Sequence, residues 1–397
     1  MLSRQIRVLV AVLLTSTILV FLAHRNGYDF DHRAIFGSSS TDETNSSNAK
    51  QPQDTITHGE QEHEFDQGQL VPEANPTDAP ALQLDPILEE SPESDNFYSD
   101  SIDWTRFAYV QYVTNDYYLC NAAMLFEALQ KLGSKAERLM MYPEHMMHNP
   151  NMEESLGRNK KLLIKVRDEY NVKLVPIKIQ HREGGEETWS DSYTKLLAFN
   201  QTQYDRIIAL DSDALLLQSM DELFFMPPCP IAMPRAYWLL KSKPPKKILA
   251  THVMVIQPSA IEFSRIEKLI NTAKPDEFDM ELINKLYLNS AAVLPHRPYA
   301  LLTAEFREKD HKVYLGSDVE EWDPKGVLEE AKFVHFSDWP VQKPWLDVDD
   351  LEGLRKEHQP KCKKGKGGMM DCEDKEVWNG LYKEFRMRRE SVCGHGW

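Results

Sequence analysis

Two aspartates one residue apart, Asp211 and Asp213, follow the apolar run Ile207-Ile208-Ala209-Leu210 and precede Ala214-Leu215-Leu216-Leu217. On an extended segment, side chains two apart project to the same side. The Asp211-Ser212-Asp213 pair therefore offers hard oxygen ligands to Mn2+ or Mg2+. A cation held there can bridge a diphosphate and neutralise it as it leaves. The spacing alone is not specific, because Asp29-Phe30-Asp31 and Asp347-Val348-Asp349 repeat it. Neither of those follows an apolar strand, and setting two carboxylates between buried apolar segments is costly without a partner. The plainer alternative is a pair of turn or N-cap aspartates ahead of Ala214. Further on, His335 closes the short apolar run Lys332-Phe333-Val334. An imidazole there can complete an oxygen-rich metal site, or be no more than a satisfied core or edge residue. Lys343, in Gln342-Lys343-Pro344-Trp345, stands where it can reach a phosphate, as can any surface lysine.

Such residues need elements to hold them. Phe107 to Val113 reads as a buried strand, and Thr114-Asn115-Asp116 opens a helix from Tyr117 to Leu132 that Gly133 ends. Strands are expected over 138–141, 172–177 and 206–210, and helices over 156–170 and 193–199. The alternation predicts an α/β domain with a mostly parallel sheet. Ligands of such sheets bind beyond the carboxyl ends of strands, which singles out Thr114-Asn115 and the segment from Asp211. Between 375 and 389, Val377, Trp378, Leu381, Tyr382 and Phe385 share one helical face, the pattern of a helix packed on the domain.

The surrounding sequence reads as an address. Arg4 and Arg7 precede the uncharged apolar run Val8 to Ala23, and His24 and Arg25 close it. Sixteen helical residues span about 24 Å, a little short of the roughly 27–30 Å of a bilayer core. Phe21-Leu22-Ala23 suits signal cleavage poorly, so residues 8–23 are expected to be an uncleaved signal anchor. Residues 1–7 then form a cytosolic tail and the rest is lumenal. Residues 24–103 carry 18 Asp and Glu against 3 Lys and Arg, with prolines spaced along them and no apolar period. Such a stretch reads as a disordered acidic stem ahead of a globular domain over 104–397. It also accounts for nearly all of the net charge of −16. No basic face remains for nucleic acid. Asn45-Ser46-Ser47 and Asn200-Gln201-Thr202 are glycosylation acceptors. Five cysteines in 397 residues make no disulfide scaffold. Cys362 and Cys372 flank a Lys- and Gly-rich loop and suit a disulfide in an oxidising lumen. A zinc site with His358, Cys393 and His395 matches no standard spacing. Cys120 falls within a predicted helix, as a core residue.

Taken in order, Val113-Thr114-Asn115-Asp116-Tyr117-Tyr118, Thr194-Lys195-Leu196, Leu210-Asp211-Ser212-Asp213, Val255-Ile256-Gln257-Pro258-Ser259 and His335 through Lys343-Pro344-Trp345 resemble glycosyltransferase family 8, the group of glycogenin and galactinol synthase. The segments His296-Arg297-Pro298-Tyr299-Ala300-Leu301-Leu302 and His335-Phe336-Ser337-Asp338-Trp339-Pro340 look most like the fungal Golgi α-N-acetylglucosaminyltransferases of that family. The resemblance covers Trp104 to about Leu354. It implies a GT-A type fold, a UDP-sugar donor with N-acetylglucosamine as its sugar, a glycan or glycoprotein acceptor, and retention at the sugar carbon. By position it implies that Thr114, Asn115 and Tyr118 hold the uridine and that Lys195 contacts the ribose or diphosphate. It makes Asp211, Asp213 and His335 the Mn2+ ligands, with Ser212 between them at the donor, and gives Lys343 the diphosphate. Asp279 falls where the family has a sugar-contacting Asp-Gln pair, and is the one nameable nucleophile for a double displacement.

Three departures from the family pattern bear on the donor. Met280 replaces the glutamine, Leu249-Ala250-Thr251-His252 replaces an Asn-Ser-Gly run, and two extra residues stand between His335 and Lys343. They argue against plain glycogenin activity and leave a glucose or galactose transferase as one alternative. An anchored glycan-binding protein without turnover is another. A nucleotidyltransferase would need a Gly-rich phosphate loop, and none follows the first strand.

Overall fold

Strand β1, Phe107–Tyr112, and strand β4, Arg206–Leu210, are apolar almost throughout and lie side by side in parallel, Ala108 opposite Ile207 and Val110 opposite Ala209. The computed structural model describes residues 102–147, 157–181, 191–274, 276–346, 351–365 and 368–397. All of these belong to one unit, Leu88–Trp397. The predicted anchor over 8–23, the stem as far as residue 101, Asn45 and the Asp347 and Asp349 pair fall outside them. Among the described residues no helix is long and apolar enough to cross a membrane.

The main sheet has seven strands in the order β3-β2-β1-β4-β7-β6-β8. The further members are β2 (Glu137–Pro143), β3 (Val172–Ile177), β6 (Ile231–Pro234), β7 (Val253–Ile256) and β8 (Ala292–Leu294). Pairing is parallel except on both sides of β7, which runs against β4 and β6. The sheet is thus mostly parallel, and the chain reverses its order of strand placement between β1 and β4, the switch point at which open α/β sheets bind ligands beyond the carboxyl ends. Alternate residues along each strand supply two cores. Tyr109, Met140, Ile208 and Val255 face one layer, while Ala108, Met141, Ile207 and Met254 face the other. A parallel sheet needs such cover on both faces.

Helix α1, Asp116–Lys131, covers the first face. The Asn115 side chain caps it by accepting from Tyr118 N at 3.2 Å, and Gly133, at φ +71°, turns the chain out of it. Helix α2, Arg158–Tyr170, lies beside α1, and Asn171, at φ 52°, ends it. The second face is covered by α3 (Ala260–Thr272), α4 (Asp279–Tyr287) and a 3-10 helix over Ser192–Asn200, where a helix over 193–199 was expected. Its ends bond in the tighter i+3 pattern, Thr194 N to Asp191 O at 3.0 Å and Gln201 N to Ala198 O at 3.1 Å. The final helix, α5 (Glu373–Cys393), buries Val377, Trp378, Leu381, Tyr382 and Phe385 and packs on α1. Cys120 is buried, as expected of a core residue, and is also disulfide-bonded to Cys393 across 273 residues. That bond removes Cys393 from any zinc site. Cys362 and Cys372 form the second disulfide.

A small second sheet completes the frame. Strand β5, Ala214–Leu216, runs antiparallel to β10, Phe333–His335, and β10 runs parallel to β9, Leu301–Leu302. Its register sets His335 opposite Ala214.

Candidate active site

The β5–β10 register is what carries His335 to the aspartates. Asp213 immediately precedes β5, and its carbonyl accepts from Phe336 N at 2.9 Å, extending the ladder by one bond. The His335 Nε2 then stands 3.0 Å from Asp213 Oδ1. Asp211 immediately follows β4 and is fixed beside the reversed strand, its N–H donating to the His252 carbonyl at 2.9 Å. Asp211, Asp213 and His335 each present one ligand atom, and these atoms lie within 4.8 Å of one another. Two ligands that share a Mg2+ ion can stand no more than about 4.2 Å apart, twice the metal–ligand bond, so side-chain shifts of about half an ångström suffice for all three to share one. Two carboxylate oxygens and an imidazole also match the preference of such ions. The His335 Nδ1 is buried without a hydrogen-bond partner among the described residues. Its ring is held from the side instead, stacked on His252 with centroids 5.0 Å apart.

Two lysines neutralise the aspartates. The Lys195 ammonium, almost wholly buried, lies 2.7 Å from Asp211 Oδ1 and 3.0 Å from Asp279 Oδ2. Lys343 donates to Asp213 Oδ2 at 2.5 Å and to the Phe336 carbonyl at 2.6 Å. Burial pushes the Asp211 carboxyl up; Lys195 opposes this and the Asp213 charge adds to it, so its pKa is raised. Burial acts the same way on Asp213, but His335 and Lys343 outweigh it and hold that carboxyl well below the ordinary range. One carboxyl raised beside another depressed is the mark of like charges at close quarters. Burial lowers the Lys195 pKa, yet Asp211 and Asp279 more than reverse this and raise it. Burial, then the charges of His335 and Lys195, keep the His252 imidazole neutral.

The other predicted residues are distributed around this cluster. Thr114 and Asn115 follow β1, the first half-buried and the second exposed as the cap of α1. Tyr118, half-buried, packs edge-on against Trp345 at 5.6 Å, and its hydroxyl pKa is raised by burial and then by Asp213 and Asp211. Ser212 is buried between the two aspartates. Asp279, at the start of α4, is buried and accepts from Thr251 Oγ1 at 2.6 Å as well as from Lys195. The ammonium of Lys195 is thus occupied by two carboxylates.

Sequence reasoning did not single out Tyr112, Thr251 or His252 as site residues. The Tyr112 hydroxyl donates to Asp211 Oδ1 at 3.3 Å. As the last residue of β1, it is within reach of the strand-end rule. Thr251 and His252 lie before β7, and only the reversal of that strand brings them to the carboxyl end of β4. The Asn284 amide holds this run in place, accepting from Leu249 N at 2.9 Å and donating to Leu249 O at 2.8 Å.

No protein-family model matches the chain. It is similar to Glucose N-acetyltransferase 1 of Gibberella zeae, 58% identical over 292 residues that take in 74% of this chain and 63% of that protein. The chain thus spans less than two thirds of that relative's length. Glucose N-acetyltransferase 1 of Aspergillus fumigatus is 47% identical over 312 residues, 74% of this chain and 78% of that one. The protein of the same name from Saccharomyces cerevisiae is 27% identical over 414 residues, 74% of this chain and 82% of that one. Among solved structures, a galactosyltransferase in complex with donor and acceptor sugar analogues is similar with a TM-score of 0.44 and 12% identity, over 71% of this chain and 99% of that one.

Proposed function

This chain belongs to the Glucose N-acetyltransferase 1 family, and on that premise we propose that it transfers N-acetylglucosamine from a UDP donor to a glycan or glycoprotein acceptor, with retention at the sugar carbon. The observation that carries the reading is the meeting of Asp211, Asp213 and His335 in one cluster with Lys343 bonded to it. The relatives' name, taken word for word, describes acetyl transfer to glucose. Paired carboxylates, an imidazole and an ammonium at a strand mouth suit a departing diphosphate instead, which favours sugar transfer by a GT-A type enzyme.

Asp211, Asp213 and His335 would hold Mn2+, or Mg2+ in its place. A divalent ion bound there supplies Lewis-acid neutralisation of the diphosphate. Lys343 adds a fixed positive charge. An ammonium has three donors, and two of those of Lys343 go to Asp213 and Phe336, leaving the third for a phosphate oxygen. Thr114, Asn115 and Tyr118, at the end of β1 and the start of α1, would hold the uridine. Lys195 serves the donor site from behind, fixing Asp211 and Asp279 against each other. Asp279 would contact the sugar. Its carboxylate is already engaged by Thr251 and Lys195, which favours same-face attack by the acceptor hydroxyl over a covalent double displacement. Arg4 and Arg7 ahead of the apolar run 8–23 support a single-pass Golgi membrane protein with a lumenal catalytic domain.

The test is release of UDP from UDP-N-acetylglucosamine by the purified full chain, with Mn2+ and after chelation, beside Asp213→Ala. Release should depend on added Mn2+ and fall at least 100-fold in Asp213→Ala. Equal release by both proteins removes the metal-site reading.

A further inference from the structure

The chain leaves the metal-binding cluster at His335 and returns to it at Lys343, and the two feet of this loop are closed on each other. Lys343 Nζ donates to the Phe336 carbonyl at 2.6 Å, and Phe336 N donates to the Asp213 carbonyl at 2.9 Å. Trp339 stands midway, four residues from each foot and 91% exposed. Four residues of chain reach at most about 14 Å, so the Trp339 backbone is tethered within that distance of His335 and of Lys343.

The backbone under this indole is anchored firmly. The Asp338 side chain is buried and accepts from Trp378 Nε1 at 2.6 Å, Tyr382 Oη at 3.1 Å and Arg307 Nη1 at 2.5 Å. Arg307 Nη1 also reaches the carbonyls of Asp338 at 3.3 Å and Trp339 at 3.4 Å. Val341 N closes the turn on the Asp338 carbonyl at 2.8 Å. A desolvated carboxylate with three donors holds one geometry, because losing any donor leaves a buried charge short of partners. The result is a large aromatic face held still and left in water, where its hydration is unfavourable.

We infer that Trp339 is a stacking platform for a pyranose ring of the acceptor glycan. One face of a pyranose is a set of C–H bonds, which pack on the electron-rich face of an indole. A ring seated there would lie one short loop away from the cluster. This rests on the sugar-transfer reading and adds to it the acceptor's contact.

The experiment uses the full chain with UDP-N-acetylglucosamine, Mn2+ and a panel of methyl glucosides, galactosides and mannosides. Trp339→Ala should raise the acceptor KM at least ten-fold and move the donor KM less than two-fold. Trp339→Tyr and Trp339→Phe should recover most of the loss. Val319→Ala, at an equally exposed position, should leave both constants in place. Saturation-transfer NMR of the same glycosides needs no turnover, and their C–H signals should weaken in Trp339→Ala. If the parent releases no UDP but shows that saturation transfer, the platform stands and the transfer reading falls. An unchanged acceptor KM with unchanged saturation transfer in Trp339→Ala overturns the platform. So does a defect seen only as weaker flotation with phosphatidylserine vesicles, which would make Trp339 a membrane contact.

Discussion

Replacing Lys195 by Met tests the charge balance of the site directly. The Lys195 side chain is 6% exposed, and its two partners, Asp211 and Asp279, are 15% and 10% exposed. Removing one partner of a buried ionic group costs about 3–5 kcal/mol, because the remaining charges are left uncompensated. With about 2.1 cal/mol/K of unfolding entropy per residue over roughly 300 folded residues, that is a fall in Tm of about 5–8 °C. The double variant Lys195→Met, Asp279→Asn removes the cation and one of the two anions together. It should therefore lose less than the sum of the two single variants, by at least about 1.5 kcal/mol of coupling. On the proposed metal reading, saturating Mn2+ should narrow the Lys195→Met deficit, since the ion replaces the ammonium as counter-charge to Asp211 and binds only the folded state. The assay is calorimetric unfolding of parent, singles and double at one pH, with and without Mn2+. Additivity within about 0.5 kcal/mol would refute the claim that these three residues form one electrostatic unit.

Two further outcomes concern stability. In a chain-entropy treatment the Cys120–Cys393 bond, across 273 residues, stabilises by up to about 5.6 kcal/mol, and Cys362–Cys372, across 10, by about 2.7 kcal/mol. Paired Cys→Ser replacement should thus lower Tm more for the first bridge than for the second, and the reverse order in calorimetry would count against this account. Glu262 accepts from the Tyr287 hydroxyl and from Arg265. Burial raises its carboxyl pKa, but those two partners together bring it below the ordinary 4.5. A depressed carboxyl stabilises above its unfolded pKa and loses that contribution as pH falls through its folded value. Glu262→Gln should accordingly be less stable than the parent near neutral pH, with the gap closing below about pH 4.5, as denaturant titrations at several pH values would show.

The strands were readable because burial on both faces leaves an apolar run of the right length. Val172–Ile177 and Arg206–Leu210 fall where the pattern predicts them, and β1 ends one residue earlier, at Tyr112. The stripe from Val377 to Phe385 foretold a helix, although α5 extends to Cys393, four residues past the expected end, because the Cys120 disulfide secures its last turn. The 193–199 segment was read as helical, and it is a 3-10 helix over Ser192–Asn200. Its apolar residues are set by burial under the sheet, and nothing in their spacing separates i+3 from i+4 bonding. Asp211 and Asp213 stood out because carboxylates rarely sit between buried segments. His335 was visible only as a histidine after a strand, since its position opposite Ala214 depends on a pairing between residues some 120 apart. Tyr112 lay within reach of the strand-end rule, and Thr251 and His252 fell in a run noted only as a departure from the family pattern. The reversal of β7 is what brings Thr251 and His252 to the aspartates. Trp339 was read as part of a family motif, and its exposure is a property of the folded loop alone.

The bond between Cys120 and Cys393 also has a consequence for biogenesis. Synthesis proceeds at about 5–20 residues per second, so the 273 residues between the two cysteines leave Cys120 waiting roughly 14–55 s for its partner. Throughout that interval the first helix has emerged while the helix that staples it does not yet exist. Cys362 and Cys372 arrive close together near the end, when Cys120 is the older available thiol. Correct pairing then depends on early helix packing shielding Cys120 from those later arrivals, and a ribosome that stops a few codons short would release a domain open at its last seam.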